Sequence, residues 1–288
     1  MEELSESMKD STDKRQPAGA NYTSPYFDLA IQKSSEIGPN DDVFPYTIGA
    51  VMHGQNVEFN GMNHVNNPAD ASLNRVEQRL NNFIQMSTKP IVFVEGGMRD
   101  VAGLDRDSAI QKHGEPGLIT KVALDAGVEV QSPEPPIEEE VSELLKFFSP
   151  NQIMQYYFSR QLFQWYRNKD QDSEMGSAQE YIDKKMQRYA TVPGLELAPK
   201  DYDTLAGIFA EKFGFKPEEM PEEHAKKILH DESSPFNPVS AASGDIRDRY
   251  IFKQISNAAA EGRDVFIVYG SYHSFVFEQM VADIKKAP

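Results

Sequence analysis

The chain lacks cysteine, and this absence removes several kinds of chemistry from consideration. Without thiols the protein cannot form disulfides, bind a metal through thiolates or use a cysteine nucleophile. Any metal ion must therefore be held by histidine, aspartate or glutamate side chains. The chain has only six histidines among its 288 residues, so histidine-based sites have few candidates.

Basic residues and long apolar runs are also scarce. Lysine and arginine total 29 against 45 aspartates and glutamates, and the formal net charge of -16 argues against nucleic acid or an anionic membrane as a partner. No apolar run approaches the length of about 20 residues that spans a membrane. The start, Met1–Ser7, lacks the basic and apolar segments of a secretory signal, so we expect a cytoplasmic protein.

Hydrophobic patterning divides the chain into a tail and a domain. Residues 1–40 are polar and lack sustained periodicity, which predicts a mobile N-terminal tail. Residues 41–288 are predicted to form a single α/β domain. Within it, residues 137–242 show helical patterns and no clear buried strand, which predicts a large helical insertion. Its aromatic-rich part either packs helix against helix or faces the substrate as the wall of a lid.

Strand and helix patterns alternate in the rest of the domain. A hairpin around residues 53–56 precedes a helix from Ala71 to Met86, whose apolar residues have helical spacing. Buried strands are predicted at 90–94, 128–130 and from Val265, each preceded by a helical pattern, which before the second strand runs from Leu118 to Ala126. This order predicts an α/β fold with a mixed, largely parallel sheet flanked by helices.

Two short strings with the pattern GxxH stand where predicted strands end. They are Gly61–His64 and Gly270–His273, and the second lies between a buried strand and a helical pattern. In open α/β sheets the ligand crevice lies beyond the carboxyl ends of the strands. His64 and His273 are therefore candidate site residues, although a single histidine near a strand end can equally be a hydrogen-bonded structural residue.

Two glutamates complete the predicted constellation, because Glu95 and Glu134 follow other strands of the same sheet. Two histidines and two carboxylates suit a divalent metal such as Zn, Mn or Co, with a position left for water. The same groups also permit a metal-free mechanism with a histidine as general base. Glu95 could instead cap a helix, and Glu134 could shape a turn between prolines.

Further polar side chains lie near the predicted crevice, and Arg247 among them has two alternative roles. Arg247 could clamp a carboxylate or stabilise an oxyanion, or it could belong to a solvated helical turn. We assign the neighbouring side chains to substrate binding: Asn63, Glu134, Asp248 and Tyr272.

The order of these motifs resembles the TraB/Tiki family, which shares a superfamily with erythromycin esterases and ChaN-like haem-binding proteins. The resemblance covers about residues 56–135 and 245–285 and rests on the two GxxH strings, the strand-end glutamate and the Arg-Asp pair. It implies a hydrolytic centre of His64, Glu95 and His273, with Arg247 beside it. In Tiki-like members this centre is a metal-dependent peptidase site, with the same three side chains as metal ligands.

The sequence thus predicts a hydrolase that acts on a small molecule or peptide, cleaving a peptide or amide bond, or an ester. A metal-free hydrolase of the erythromycin-esterase type is an alternative. A second class is a ChaN-like haem or small-ligand binding protein, or a catalytically inactive binding module. A third is a helical interaction scaffold, which would not need His64 or His273.

Overall fold

The computed structural model of the protein describes residues 22, 24–37, 43–169, 175–189, 191–221, 224, 228–229 and 234–286. These residues divide between two compact units, which we call the α/β unit and the helical unit. The α/β unit comprises the described residues within 25–135 and 245–288, and the helical unit comprises those within 1–24 and 136–244. In the described ranges, no helix combines the length and the apolar character needed to cross a membrane.

The described chain contains five strands and nine α-helices. The strands are β1 (Tyr46–Met52), β2 (Gln55–Met62), β3 (Pro90–Val94), β4 (Glu129–Gln131) and β5 (Asp264–Gly270). The α-helices are α1 (Pro25–Ile37), α2 (Ala71–Met86), α3 (Arg106–Asp125), α4 (Ile137–Leu144), α5 (Pro150–Asn168), α6 (Ala178–Met186), α7 (Tyr202–Phe213), α8 (Asn237–Ala260) and α9 (Ser271–Lys286).

The strands form one sheet in the order β1-β2-β5-β3-β4. Only β1 runs antiparallel to its neighbour, while β2, β5, β3 and β4 pair in parallel. The α/β class and the largely parallel sheet are therefore as the sequence predicts. The predicted hairpin is also confirmed, because β1 and β2 pair in antiparallel fashion around a two-residue turn. Both turn residues, His53 and Gly54, have positive φ, as a type I′ turn requires.

Alternating residues of β5 bury both faces of the sheet. Ile267 and Tyr269 belong to a core that includes Ile255 of α8 and Phe275 of α9. Phe266 and Val268 point to the other core, which α2 and α3 supply with buried residues such as Leu80 and Ile119. A strand buried on both faces reads as a continuous apolar run, which is why the sequence located β5 so well.

The predicted mobile tail was wrong for α1, which forms within it. Phe27 and Ala30 of this helix are buried, and the Tyr26 hydroxyl donates to Asp283 of α9 at 3.2 Å. The Lys33 ammonium also contacts the Glu278 carboxylate of α9 at 2.5 Å. These partners lie about 250 positions away in the sequence, so local periodicity could not reveal them. The remainder of the predicted tail, apart from residues 22 and 24, lies outside the described residues.

The helical unit contains α4 to α7, and its described residues include no strand. Its aromatic residues pack together: the ring of Tyr157 stacks on that of Tyr189 with centroids 4.2 Å apart. The buried Glu140 carboxylate accepts hydrogen bonds from the hydroxyls of Tyr157 and Ser243, at 3.0 and 2.7 Å. Much of the aromatic stretch therefore serves as core in this unit.

Candidate active site

The register of the sheet brings the ends of β2, β5 and β3 to one edge. Gly61 of β2 pairs with Tyr269 of β5, and Val94 of β3 pairs with Val268 of β5. The central position of β5 means that the residues following all three strands emerge side by side. His64, His273 and Glu95 meet there for this reason.

Glu95 lies between the two histidines. Its Oε2 is 3.7 Å from Nε2 of His64, and its Oε1 is 3.8 Å from Nε2 of His273. The backbone N–H of Gly270 donates to Oε2 at 2.7 Å. Burial raises the pKa of the carboxyl, but His273, His64 and Arg247 outweigh it and lower this pKa to about 2. Glu95 is therefore a carboxylate at neutral pH and a weak base.

A second carboxylate, Glu115, holds the far side of His64. Its Oε1 is 2.5 Å from Nδ1 of His64, and its Oε2 accepts the backbone N–H of Val65 at 3.1 Å. The side chain is only 2% exposed. With Nδ1 occupied, Nε2 of His64 faces Glu95.

Sequence reasoning missed Glu115, because the residue lies before the predicted helix, in a stretch without strand or helix periodicity. The signal that could have found it is its setting between Gly114 and Pro116, which mark a break in the backbone. Gly114 has φ 66°, and a Cβ there would lie 3.1 Å from the carbonyl oxygen of Val65. The glycine thus lets the loop after β2 approach α3 closely enough for Glu115 to reach His64.

Asp248 of α8 plays the same part for His273. Its Oδ1 lies 2.5 Å from Nδ1 of His273, and both side chains are largely buried. Burial lowers the pKa of His273, but Asp248 and Glu95 outweigh it and raise this pKa. The sequence assigned Asp248 to substrate binding, and the contact that the structure gives it is with a site histidine.

Arg247 and Glu134 form a two-pronged ion pair. Nε and Nη2 of Arg247 donate to the two oxygens of Glu134, at 3.0 and 2.9 Å. Burial raises the pKa of Glu134, but the charge and hydrogen bonds of Arg247 outweigh this effect, so the pKa lies below its ordinary value. Two nitrogens of Arg247, the predicted clamp, thus already donate to Glu134, which the sequence analysis assigned to substrate binding.

The other two predicted substrate-binding residues differ in their surroundings. The ring of Tyr272 lies edge-on to Phe27 of α1 and to the imidazole of His273, with centroids 5.8 and 5.5 Å away. Asn63 is partly buried in the loop between β2 and His64. The structure therefore places Tyr272 against a site histidine, and Asn63 one residue before the other.

The three central side chains suit a divalent cation in their chemistry. Each histidine presents Nε2 toward Glu95 while a carboxylate holds Nδ1, the arrangement that orients metal-binding histidines. Among the described residues, no group of three or more metal-binding side chains is close enough to hold an ion as it stands. Tetrahedral bonds of about 2.0–2.1 Å put ligand atoms roughly 3.3 Å apart. The two distances between Nε2 atoms and Glu95 oxygens, 3.7 and 3.8 Å, exceed that separation by about half an ångström.

Gly270 leaves room between two of these groups, and its replacement by alanine tests that room. The added Cβ would lie 3.0 Å from Nε2 of His64 and 3.3 Å from Oε2 of Glu95. We expect Gly270→Ala to weaken ligand or metal binding at least about tenfold, because the methyl group occupies the gap. The measurement is the affinity for a divalent cation, determined by isothermal titration calorimetry. Gly49→Ala in β1 is the control, since nothing lies within 4 Å of its added Cβ, and an equal effect there would contradict the idea.

Comparison of the chain with protein-family models, curated proteins and solved structures finds no match. The family resemblance thus rests on the motifs of this chain alone.

Proposed function

We propose that the protein is a hydrolase in which His64, Glu95 and His273 activate water for attack on a peptide or amide bond, or an ester. The substrate is a small molecule or peptide, in a cytoplasmic setting. In this proposal the three side chains hold a divalent cation, Zn, Mn or Co. A bound cation of this kind lowers the pKa of water and polarises a carbonyl group.

One observation carries the proposal: two imidazoles face the two oxygens of one ionised carboxylate, and each is held from behind by a further carboxylate. The Nε2–Glu95 distances are 3.7 and 3.8 Å, whereas the Nδ1–carboxylate distances are both 2.5 Å. Metal-binding histidines almost always have a partner at the second ring nitrogen, and a histidine that acts as a base is likewise oriented by a third group. The chain's own residues thus fix the direction of both Nε2 atoms before any ligand arrives.

A metal-free hydrolase of the erythromycin-esterase type is the second candidate. The observation that favours it is the same pair of carboxylate–histidine contacts, since a carboxylate at Nδ1 also orients an imidazole that acts as a base. His64 would accept the proton of water, because its side chain is 39% exposed. Glu95, with its lowered pKa, would stabilise the imidazolium that forms.

Elemental analysis of the purified protein tests the first candidate. We expect about one equivalent of Zn, Mn or Co in the wild type and its loss in His64→Ala and His273→Ala, because each variant removes one of three ligands. His53→Ala is the matched control, since His53 lies in the hairpin turn and contacts Ser256 instead. Absence of metal even after reconstitution would sink the cation-dependent proposal.

Activity assays separate the remaining candidates. Hydrolysis of nitrophenyl esters or short peptides by metal-free protein, reduced about 10²–10⁴-fold in His64→Ala, would favour the metal-free hydrolase. A Soret shift on haem titration that His64→Ala or His273→Ala abolishes would favour a haem-binding protein instead.

A further inference from the structure

The hydroxyl of Tyr269 is a buried polar group beside the candidate active site. Tyr269 is the residue of β5 before Gly270 and is 1% exposed. Its hydroxyl oxygen is covered and has no hydrogen-bond partner among the described residues. A buried hydroxyl without a partner is costly, and bulk water cannot satisfy one that is covered. A partner that arrives with the ligand would account for it.

The surroundings of the phenol are those of the site. Its ring lies edge-on to the imidazole of His273, with centroids 5.5 Å apart, and also contacts Phe59. A tyrosine phenol has an ordinary pKa of about 10, so it is neutral at physiological pH and can donate a hydrogen bond.

The other predicted oxyanion donor is already engaged. Arg247 donates through Nε and Nη2 to Glu134, so these two nitrogens are not available to a substrate oxygen while the ion pair is intact. Donors that are fixed in a water-excluded site are the most effective kind, since they need no reorganisation during the reaction.

We propose that the Tyr269 hydroxyl donates a hydrogen bond to the carbonyl oxygen of the substrate and stabilises its negative charge in the transition state. This inference rests on the proposed hydrolase function. In the step, the oxygen of water bonds to the carbonyl carbon and the π pair moves to the carbonyl oxygen, where the phenol donates without losing its proton. When the pair returns, the bond to the amine or alcohol breaks, and that group leaves with a proton from the attacking water.

The first test is Tyr269→Phe, which removes the hydroxyl and keeps the ring. With nitrophenyl acetate as the probe, we expect kcat to fall about 10²–10³-fold, the effect of losing one oxyanion donor, with KM nearly unchanged. The melting temperature should not fall, because the hydroxyl has no partner to lose. Tyr189→Phe is the matched control in the helical unit, as its buried hydroxyl also lacks a partner among the described residues. Its kcat should equal that of the wild type.

A second readout does not depend on turnover. In protein labelled with 3-fluorotyrosine, the ¹⁹F resonance missing from Tyr269→Phe identifies this residue, and methylphosphonate serves as a probe that mimics the tetrahedral oxyanion. We expect methylphosphonate to shift that resonance. A shift without hydrolysis of any ester or peptide would support the donor and count against the hydrolase. Hydrolysis with neither a shift nor a loss of kcat would overturn the donor alone, and absence of both would overturn both proposals.

Discussion

Glu115→Gln is expected to reduce the rate of hydrolysis by about 10³-fold. This value lies between two typical effects. Loss of the carboxylate that orients a metal-binding histidine costs about 10–100-fold, and a catalytic histidine in the wrong tautomer costs about 10⁴-fold. Glu115 accepts two hydrogen bonds, from the backbone of Val65 and from His64. Glutamine has one oxygen. The backbone N–H cannot change, so it takes that oxygen and leaves the amide NH₂ facing Nδ1 of His64.

An amide that donates to Nδ1 forces the proton of His64 onto Nε2. In that tautomer Nε2 neither accepts a proton from water nor binds a cation. The effect therefore appears in both candidate mechanisms, and it is measured as kcat/KM with a nitrophenyl ester and as metal content. Wild-type values in both would show that Glu115 serves only the fold.

Glu140→Gln is the matched control for this prediction. Glu140 is a buried glutamate of the helical unit, 5% exposed, and it accepts hydrogen bonds from two hydroxyl groups, which can reorient. We expect its replacement to change the melting temperature by a few degrees and to leave kcat/KM and metal content unchanged. A similar loss of activity in both variants would point to a general effect of removing a buried charge.

Asp248→Asn is expected to reduce kcat/KM by about 10²-fold or more. The Asp248 carboxylate holds Nδ1 of His273 at 2.5 Å and is among the charges that raise the pKa of this histidine. Asparagine has no charge and can present either its oxygen or its NH₂ group to Nδ1, so Nε2 loses its fixed protonation state. The loss is expected to be smaller than for Glu115→Gln, because no backbone N–H of the described residues donates to Asp248 and would fix the orientation of the amide.

Asp264→Asn offers a control of equal burial, since Asp248 and Asp264 are each 6% exposed. Asp264 lies at the first position of β5, far along the strand from Gly270, and accepts the backbone N–H of Asn56 at 2.9 Å. Its replacement should cost about 1 kcal/mol of stability and leave kcat/KM unchanged. Equal activity in Asp248→Asn and Asp264→Asn would contradict a positioning role for Asp248.

The parts of the fold that the sequence located are those with strong local patterns. The helix Ala71–Met86 has the predicted bounds, because a stripe of apolar residues at helical spacing decides its structure. The strand Pro90–Val94 is equally local, as a short apolar run after proline. In contrast, the first part of α3, from Arg106 to the non-helical Gly114, was not predicted, and the predicted helix from Leu118 corresponds to the part of α3 that follows this break.

The sequence by itself determined that no thiol takes part in the chemistry of the site, that the sheet is largely parallel and that His64, Glu95 and His273 follow strands. It could do so because composition and strand patterns are local properties. Only the tertiary structure decided that β5 lies between β2 and β3, which sets Glu95 between the two imidazoles. Likewise, only the fold paired Glu115 with His64 and Glu134 with Arg247, because these contacts join residues 51 and 113 positions apart.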